Sequence, residues 1–312
     1  MFSRVPRIAA ALGATALLAL TACTSEQPDP TIEAAVGLPV DAARVTVVST
    51  GTDTRVLSYA DVDAEQSVEV EVAEGFDQLI MRADAVDVQA PAGGDVTRLT
   101  VPLTGTTTVA DEGERPATRD VEFRVGRPSA DNLELTDDIR SAEGFLLGWR
   151  AGDGGEVSTV RLAAPKEATD EGRALVEQAL MKLLSLPVVF PEEAVGEGAT
   201  WSVDTRVTGE STLLQTATYT ITGIDGDRVS LDVSVQQRPA LGALEMEDGQ
   251  SLNVLNSNTT SEGTLVVDLG SPLPVDGRVS YTTRVIYGGA DSDVRVVQDS
   301  TTSLAFADSP DS

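Results

Sequence analysis

From Ala43 onward the chain alternates apolar and polar residues with a period of two. RVTVVST, TRVLSYA, SVEVEVAEG, DQLIMRA, DVTRLTVPL and DVEFRVG follow one another, divided by Gly, Asp, Pro and Thr. Successive side chains of an extended strand point to opposite faces, so each run predicts a short antiparallel strand with one buried face. GFLLGWRA and EVSTVRLA flank Gly152-Asp153-Gly154-Gly155, which predicts a hairpin carrying Trp149 on or near the core face. A second series has longer strands: WSVDTRVTG, STLLQTATYTITG, RVSLDVSVQQ, TTSEGTLVVDLG, GRVSYTTRVIYGG and SDVRVVQDSTTSLAF. Their sustained alternation suits a meander of neighbours. Between the third and fourth, RPALGALEMEDGQSLNVLNSN is irregular and reads as a loop with a short helical turn.

One segment departs from this period. In TDEGRALVEQALMKLLSL, residues 169–186, Val176, Leu180, Leu183 and Leu184 fall on one helical face, with a second row at Leu175 and Ala179. Thr169 is placed to cap the first turn, Asp170 and Glu171 suit the positive end of the dipole, and Pro187 stops the helix. The expected architecture is mainly β (α+β): a large curved antiparallel sheet or half-barrel over residues 43–307, with this one principal helix packed on it. Whether the two β-rich halves form one sheet or two domains stays open at this stage.

The first 22 residues have another pattern, with a basic start at Arg4 and Arg7, an apolar middle from Ile8 to Leu20, and small residues before Cys23. That is the layout of a cleavable signal peptide, and about 13 apolar residues are too few to span a bilayer, which takes roughly 20. Leu20-Thr21-Ala22-Cys23 resembles the lipobox of bacterial lipoproteins, which implies a diacylglycerol on the Cys23 sulfur and a chain cut before it. The expected location is thus the outer face of the cell membrane, held by the lipid anchor. Cys23 is the only cysteine, so no intramolecular disulfide can form. Residues 23–42, with Pro28, Pro30 and Pro39, read as the lipidated cysteine and a flexible tether, and 308–312 as a loose tail.

The net charge of −28 argues against nucleic acid or anionic lipid head groups as partners, since both require clustered Lys and Arg. The chain has no histidine, which removes Ser-His-Asp and Cys-His catalysis and histidine-ligated zinc. Neither Lys166 nor Lys182 follows a serine by three residues, and no phosphate loop or GxSxG elbow is present. Asp225-Gly226-Asp227 and Asp291-Ser292-Asp293 lack the spacing and closing glutamate of a calcium loop and read as turns. No catalytic residue, metal or cofactor is therefore expected, although paired carboxylates cannot be located from one sequence.

The lipobox together with RVTVVSTGTDTRVLSYA, LPVVFPEEAVGEGATW and GTLVVDLGSPLPVDGRVSYTTRV resembles actinobacterial exported proteins grouped as a domain of unknown function. More distantly, many long strands and a helix behind a lipid anchor look like the half-barrel lipoproteins of the LolA and LppX kind. That likeness implies an apolar space between sheet and helix that holds lipid. The first functional expectation follows: an envelope protein binding or carrying an apolar ligand between Trp149, Leu180, Met181, Leu184, Phe190 and Trp201. The same residues would also serve an ordinary packed core. The alternative expectation is a non-enzymatic interaction module that contacts another envelope protein through strand edges or the loop around residues 240–258.

Overall fold

The computed structural model describes residues 31–113, 115–208, 212–245, 251–289 and 292–309. The signal segment and Cys23 lie outside them. In chain order the elements are β1 (Val36–Pro39), β2 (Arg44–Ser49), β3 (Thr52–Arg55), β4 (Glu65–Arg82), β5 (Thr97–Val109), β6 (Arg119–Val125) and β7 (Ser129–Ala130). Then come α1 (Thr136–Arg140), β8 (Leu146–Ala151), β9 (Val157–Ala163), α2 (Asp170–Leu184), β10 (Val195–Glu197), β11 (Thr200–Thr208) and β12 (Thr212–Asp225). The last are β13 (Arg228–Pro239), β14 (Ala243–Glu245), β15 (Ser251–Asp268), β16 (Asp276–Gly288) and β17 (Val294–Asp308).

Fifteen strands make one antiparallel sheet ordered β1-β9-β8-β6-β5-β4-β17-β16-β15-β13-β12-β11-β2, with β7 beside β5 and β14 beside β15. β3 and β10 form a separate two-stranded ladder. The two β-rich halves are thus one sheet, joined where β4 pairs with β17. β1 and β2 stand at opposite ends of this path, yet only residues 40–43 separate them in the chain. That connection reaches at most about 18 Å, whereas twelve strand spacings laid flat would span about 57 Å. The sheet must therefore curl until its ends approach. β1 and β2 do not pair with each other, so it is not a closed barrel.

α2 packs on the concave face beside β4, where Lys182 and Gln178 bond Glu74 at 2.7 and 2.9 Å, and it buries Val176, Ala179, Leu180 and Leu183 in the core. Its N-cap is Thr169, whose Oγ1 accepts from the Gly172 N–H at 3.1 Å, as the capping pattern predicts. Gly172 is required for a second reason. A Cβ at that position would stand 2.0 Å from the Asp138 carbonyl oxygen, so only glycine lets α2 approach α1 this closely.

Several expectations are corrected. SVEVEVAEG and DQLIMRA are a single 18-residue strand, β4, in unbroken register with β17 from Val68 to Arg82. Gly75 does not end it, because the residue lies under the Asp95 carbonyl, which would be 2.0 Å from an added Cβ. TRVLSYA is strand only as far as Arg55, and the following residues turn inward to bury Leu57, Tyr59 and Asp61. The irregular stretch after Pro239 contains no helical turn in its described part. It forms β14 against the start of β15, with Ala243 opposite Asn253, on the edge that the β13–β15 ladder, ending at Asp232–Thr264, leaves open. Residues 31–39, expected in the tether, are bound to the body: β1 pairs with β9, and Glu33 is gripped at both oxygens by Arg173, at 3.0 and 2.8 Å. Residues 23–30 lie outside the described part. The C-terminal strand runs to Asp308, one residue into the expected tail, and residues 310–312 are not described. Asp225-Gly226-Asp227 closes the β12–β13 hairpin, with Gly226 at φ +61°, while Asp291 is outside the described residues.

Candidate functional site

The centre of the core is organised around Pro187–Phe190, the extended segment that follows α2. Three aromatic side chains donate to its successive carbonyls: Tyr219 Oη to Pro187 at 2.9 Å, Tyr59 Oη to Val188 at 3.2 Å, and Trp201 Nε1 to Val189 at 2.8 Å. The Phe190 N–H in turn donates to the Gly154 carbonyl at 2.8 Å. Phe190 lies 5.6 Å from the Tyr59 ring and 5.9 Å from the Trp201 ring, which stacks on Tyr219 at 5.5 Å. Such contacts add about 0.5–1.5 kcal/mol per pair beyond area burial. Burial pushes the Tyr59 and Tyr219 hydroxyls well above the usual phenol range, with Arg119 partly opposing the shift at Tyr59. Trp201 is therefore a clamp on a buried peptide segment to which Phe190 belongs, and both are fully buried.

Beside this clamp lies an apolar cavity of about 40 Å³, bounded by Trp149, Leu183, Leu184, Leu186, Leu273 and Phe306. A space of that size holds about a water molecule or two, against the roughly 300 Å³ or more of a site for an apolar ligand. Of the six side chains expected to line a pocket, Trp149 and Leu184 reach this cavity. Leu180 is packed in the core, and Met181 is 41 % exposed on the other side of α2. The structure does not gather the six around one hollow.

The cavity wall also carries Arg119, which the sequence reading passed over. Its Nε and Nη2 donate to the two oxygens of Asp61 at 2.7 and 2.6 Å, and both residues are almost completely buried. Thr107 donates to the same carboxylate at 3.1 Å, Arg119 Nη1 to the Gly152 carbonyl at 3.3 Å, and the guanidinium carbon stands 4.2 Å from the Tyr59 ring centroid. A buried pair so fully bonded survives its desolvation cost, whereas either member alone would not. A signal was present: Arg119 is in phase with Val121, Phe123 and Val125, and Asp61 with Leu57 and Tyr59. Opposite charges each in register with an apolar row point to a buried pair, though not to each other.

A second hollow, about 550 Å³, is wide and polar, with Arg44, Asp204, Arg206, Gln236 and Arg238 among its walls. Hydrogen bonds from Thr216 and Arg44 hold the Asp204 carboxyl below the usual carboxylate range. Its walls suit water better than an alkyl chain.

The remaining candidate is an edge. β5 pairs with β4 only as far as Glu74, and from Gly75 to Arg82 β4 has β17 as its sole neighbour. Along that stretch the backbone groups facing away from β17 have no backbone partner among the described residues. Phe76 is 60 % and Ile80 73 % exposed. By alternation from Val68, Val70 and Val72 they continue the concave face, past the end of its helical cover. On the convex face residues 83–96 lie over β15 and β16, where Thr260 donates to the Ala90 carbonyl at 2.6 Å and Arg284 to that of Asp87 at 2.9 Å, and they leave Leu79 of β4 44 % exposed. Edge strands are normally blunted by lysine, proline, a bulge or shortness. This one has no lysine, proline or bulge, carries charges at Asp77 and Arg82, and is eight residues long, whereas β1 is four residues long and ends on Pro39.

No protein-family model matches the chain, and no curated protein does. Among the described residues no helix is long and apolar enough to cross a membrane.

Proposed function

We propose that the protein is an exported interaction module without catalytic activity, anchored to the outer face of the membrane by a lipid on Cys23, and that it binds a protein partner by strand addition along Gly75–Arg82. The single observation that carries this reading is the unblunted edge of β4, whose unpaired amides and carbonyls lie between exposed Phe76, Leu79 and Ile80. The anchor rests on the LTAC stretch and the apolar segment before it. On this reading the curled sheet is a half-barrel whose hollow is filled by α2 and the Pro187–Phe190 segment. The test is a photo-crosslinking side chain at Ile80, compared in intact cells with one at Val48 on the β2 edge. A reproducible protein adduct at Ile80 alone, re-formed with the purified partner, is expected. Equal labelling at both positions, or none at Ile80, removes the reading. Cys23→Ala should release the protein from the membrane fraction, and unchanged retention would remove the anchor.

One observation favours a second reading, carriage of an apolar ligand: Trp149 and Leu184 do meet at an apolar cavity under the end of α2. Carriage would require that cavity to widen several-fold. Solvent extraction of the purified protein followed by mass spectrometry tests it, and recovery of no lipid rejects it.

A further inference from the structure

We infer that the partner which adds a strand at Gly75–Arg82 is a second copy of this chain, so that two curled sheets join edge to edge across a two-fold axis. The inference rests on the strand-addition reading and names its partner. Consider the seven residues Gly75–Met81 laid antiparallel to themselves, with the axis at Gln78. Residues that face each other across such an axis share a face of the sheet, so the pairing must respect the alternation of β4. With Gln78 opposite Gln78 it does. Phe76 then meets Ile80 of the partner subunit, and Ile80 meets Phe76, so the two most exposed apolar side chains of the concave edge cover each other twice. Gln78 already accepts from the Gln298 amide at 2.8 Å within the chain, and the axis gives its own amide a matching amide opposite. The added strand ends with the seventh pair, because Glu74 is paired with Thr97 of β5 and its carboxylate is held by Lys182 at 2.7 Å and Gln178 at 2.9 Å. On the concave face the aromatic and the aliphatic side chain are thus each met by a complement from the same seven residues, while on the other face Asp77 stands opposite Leu79 of the partner subunit.

The joint is small. Seven residues a side compare with about 20–30 in a standard interface, so the dimer should be weak in solution, with a Kd of roughly 10–100 μM. Confinement of both copies to one membrane raises their effective concentration toward the millimolar range, which is enough to populate it. Each chain carries a net charge of −28, so the two bodies repel while the edges attract. Repulsion beyond about 8 Å is screened at physiological ionic strength, so salt should tighten this dimer. A basic partner would show the opposite dependence.

The test uses the full chain with Cys23→Ser, in mild detergent, followed by sedimentation over about 5 to 300 μM, a range set by the expected Kd. A monomer–dimer equilibrium is expected, tightening several-fold between about 50 and 300 mM salt. Ile80→Lys, at an exposed position that should not disturb folding, is expected to raise Kd at least tenfold, and Val48→Lys to leave it unchanged. Gln78→Cys is expected to crosslink to itself on oxidation, while Arg82→Cys stays uncrosslinked. A monomer throughout with no Gln78→Cys crosslink overturns the inference, as does a dimer insensitive to Ile80→Lys. If the dimer fails but the Ile80 photo-adduct contains another protein, strand addition stands and only the identity of the partner is lost. If both fail, both readings fall.

Discussion

Strand β4 passes through two environments with one pattern. Over Glu65–Glu74 its inward row is Gln66, Val68, Val70 and Val72, all buried under the segments that fill the curl. Over Gly75–Arg82 the same row continues as Phe76, Gln78 and Ile80, which among the described residues have a ladder neighbour on one side only and stand exposed. The strand, its register and its alternation do not change across Gly75. Only the cover does. Alternation therefore says which side chains share a face, while the use of that face, as core or as a contact surface, depends on how far other segments extend over it.

The sharpest way to break this contrast is to remove one large side chain from each environment. Trp201→Ala should cost about 3–5 kcal/mol in urea denaturation, since it empties the ring site and frees the Val189 carbonyl. Phe76→Ala should stay within about 0.5 kcal/mol. Similar losses at the two positions would mean that the concave face is covered along its whole length. Next in size is the buried charge. Asp61→Ala leaves Arg119 unpaired and should cost about 3–5 kcal/mol, whereas Asp61→Leu combined with Arg119→Met should recover most of it. A single-variant loss below about 1 kcal/mol would show that water reaches the pair.

The filled core also predicts a pH dependence that the free edge cannot have. Burial raises the folded-state pKa of Tyr59, Tyr219 and Tyr281, so in the folded protein these groups hold their protons beyond the point where the unfolded chain releases them. Their contribution is fully present below the unfolded value, near pH 10, and is lost progressively as pH rises above it. Denaturation midpoints should fall steeply there, and Tyr219→Phe should flatten the slope. An unchanged slope would argue that the Tyr219 ring is solvated. A smaller effect belongs to the helix that provides part of the cover: Thr169→Ala removes the cap hydrogen bond and should cost about 1 kcal/mol. The smallest change in stability, within about 0.5 kcal/mol, is expected for Ile80→Lys, the variant expected to affect association most.

Much of the fold was legible because its signals are local. Strand alternation, the hairpin at Gly152–Gly155, and α2 with its Thr169 cap each depend on neighbours a few residues apart. The joining of two predicted strands through Gly75 was not legible, since the Asp95 carbonyl that excludes a side chain there arrives from another segment. Nor was the anchoring of residues 31–39, whose proline and small residues look free until β9 offers them a ladder. Among the candidate residues, the pattern marked Trp149, Phe190 and Trp201 as inward. It did not show that Trp149 borders a small cavity while Trp201 clamps Pro187–Phe190, because that difference rests on groups contributed by other stretches of chain.

By itself, then, the sequence determined the strand-rich class, the helix over residues 170–184 and its ends, and the sidedness of most strands, all of which follow from backbone geometry and local side-chain preference. Only the tertiary structure decided that both halves share one curled sheet, that Asp61 meets Arg119, that the cavity beside Trp149 is small, and that β4 outruns its neighbour by eight residues. Those outcomes depend on which distant segments meet, and an alternation repeated in every strand carries no label for its partner.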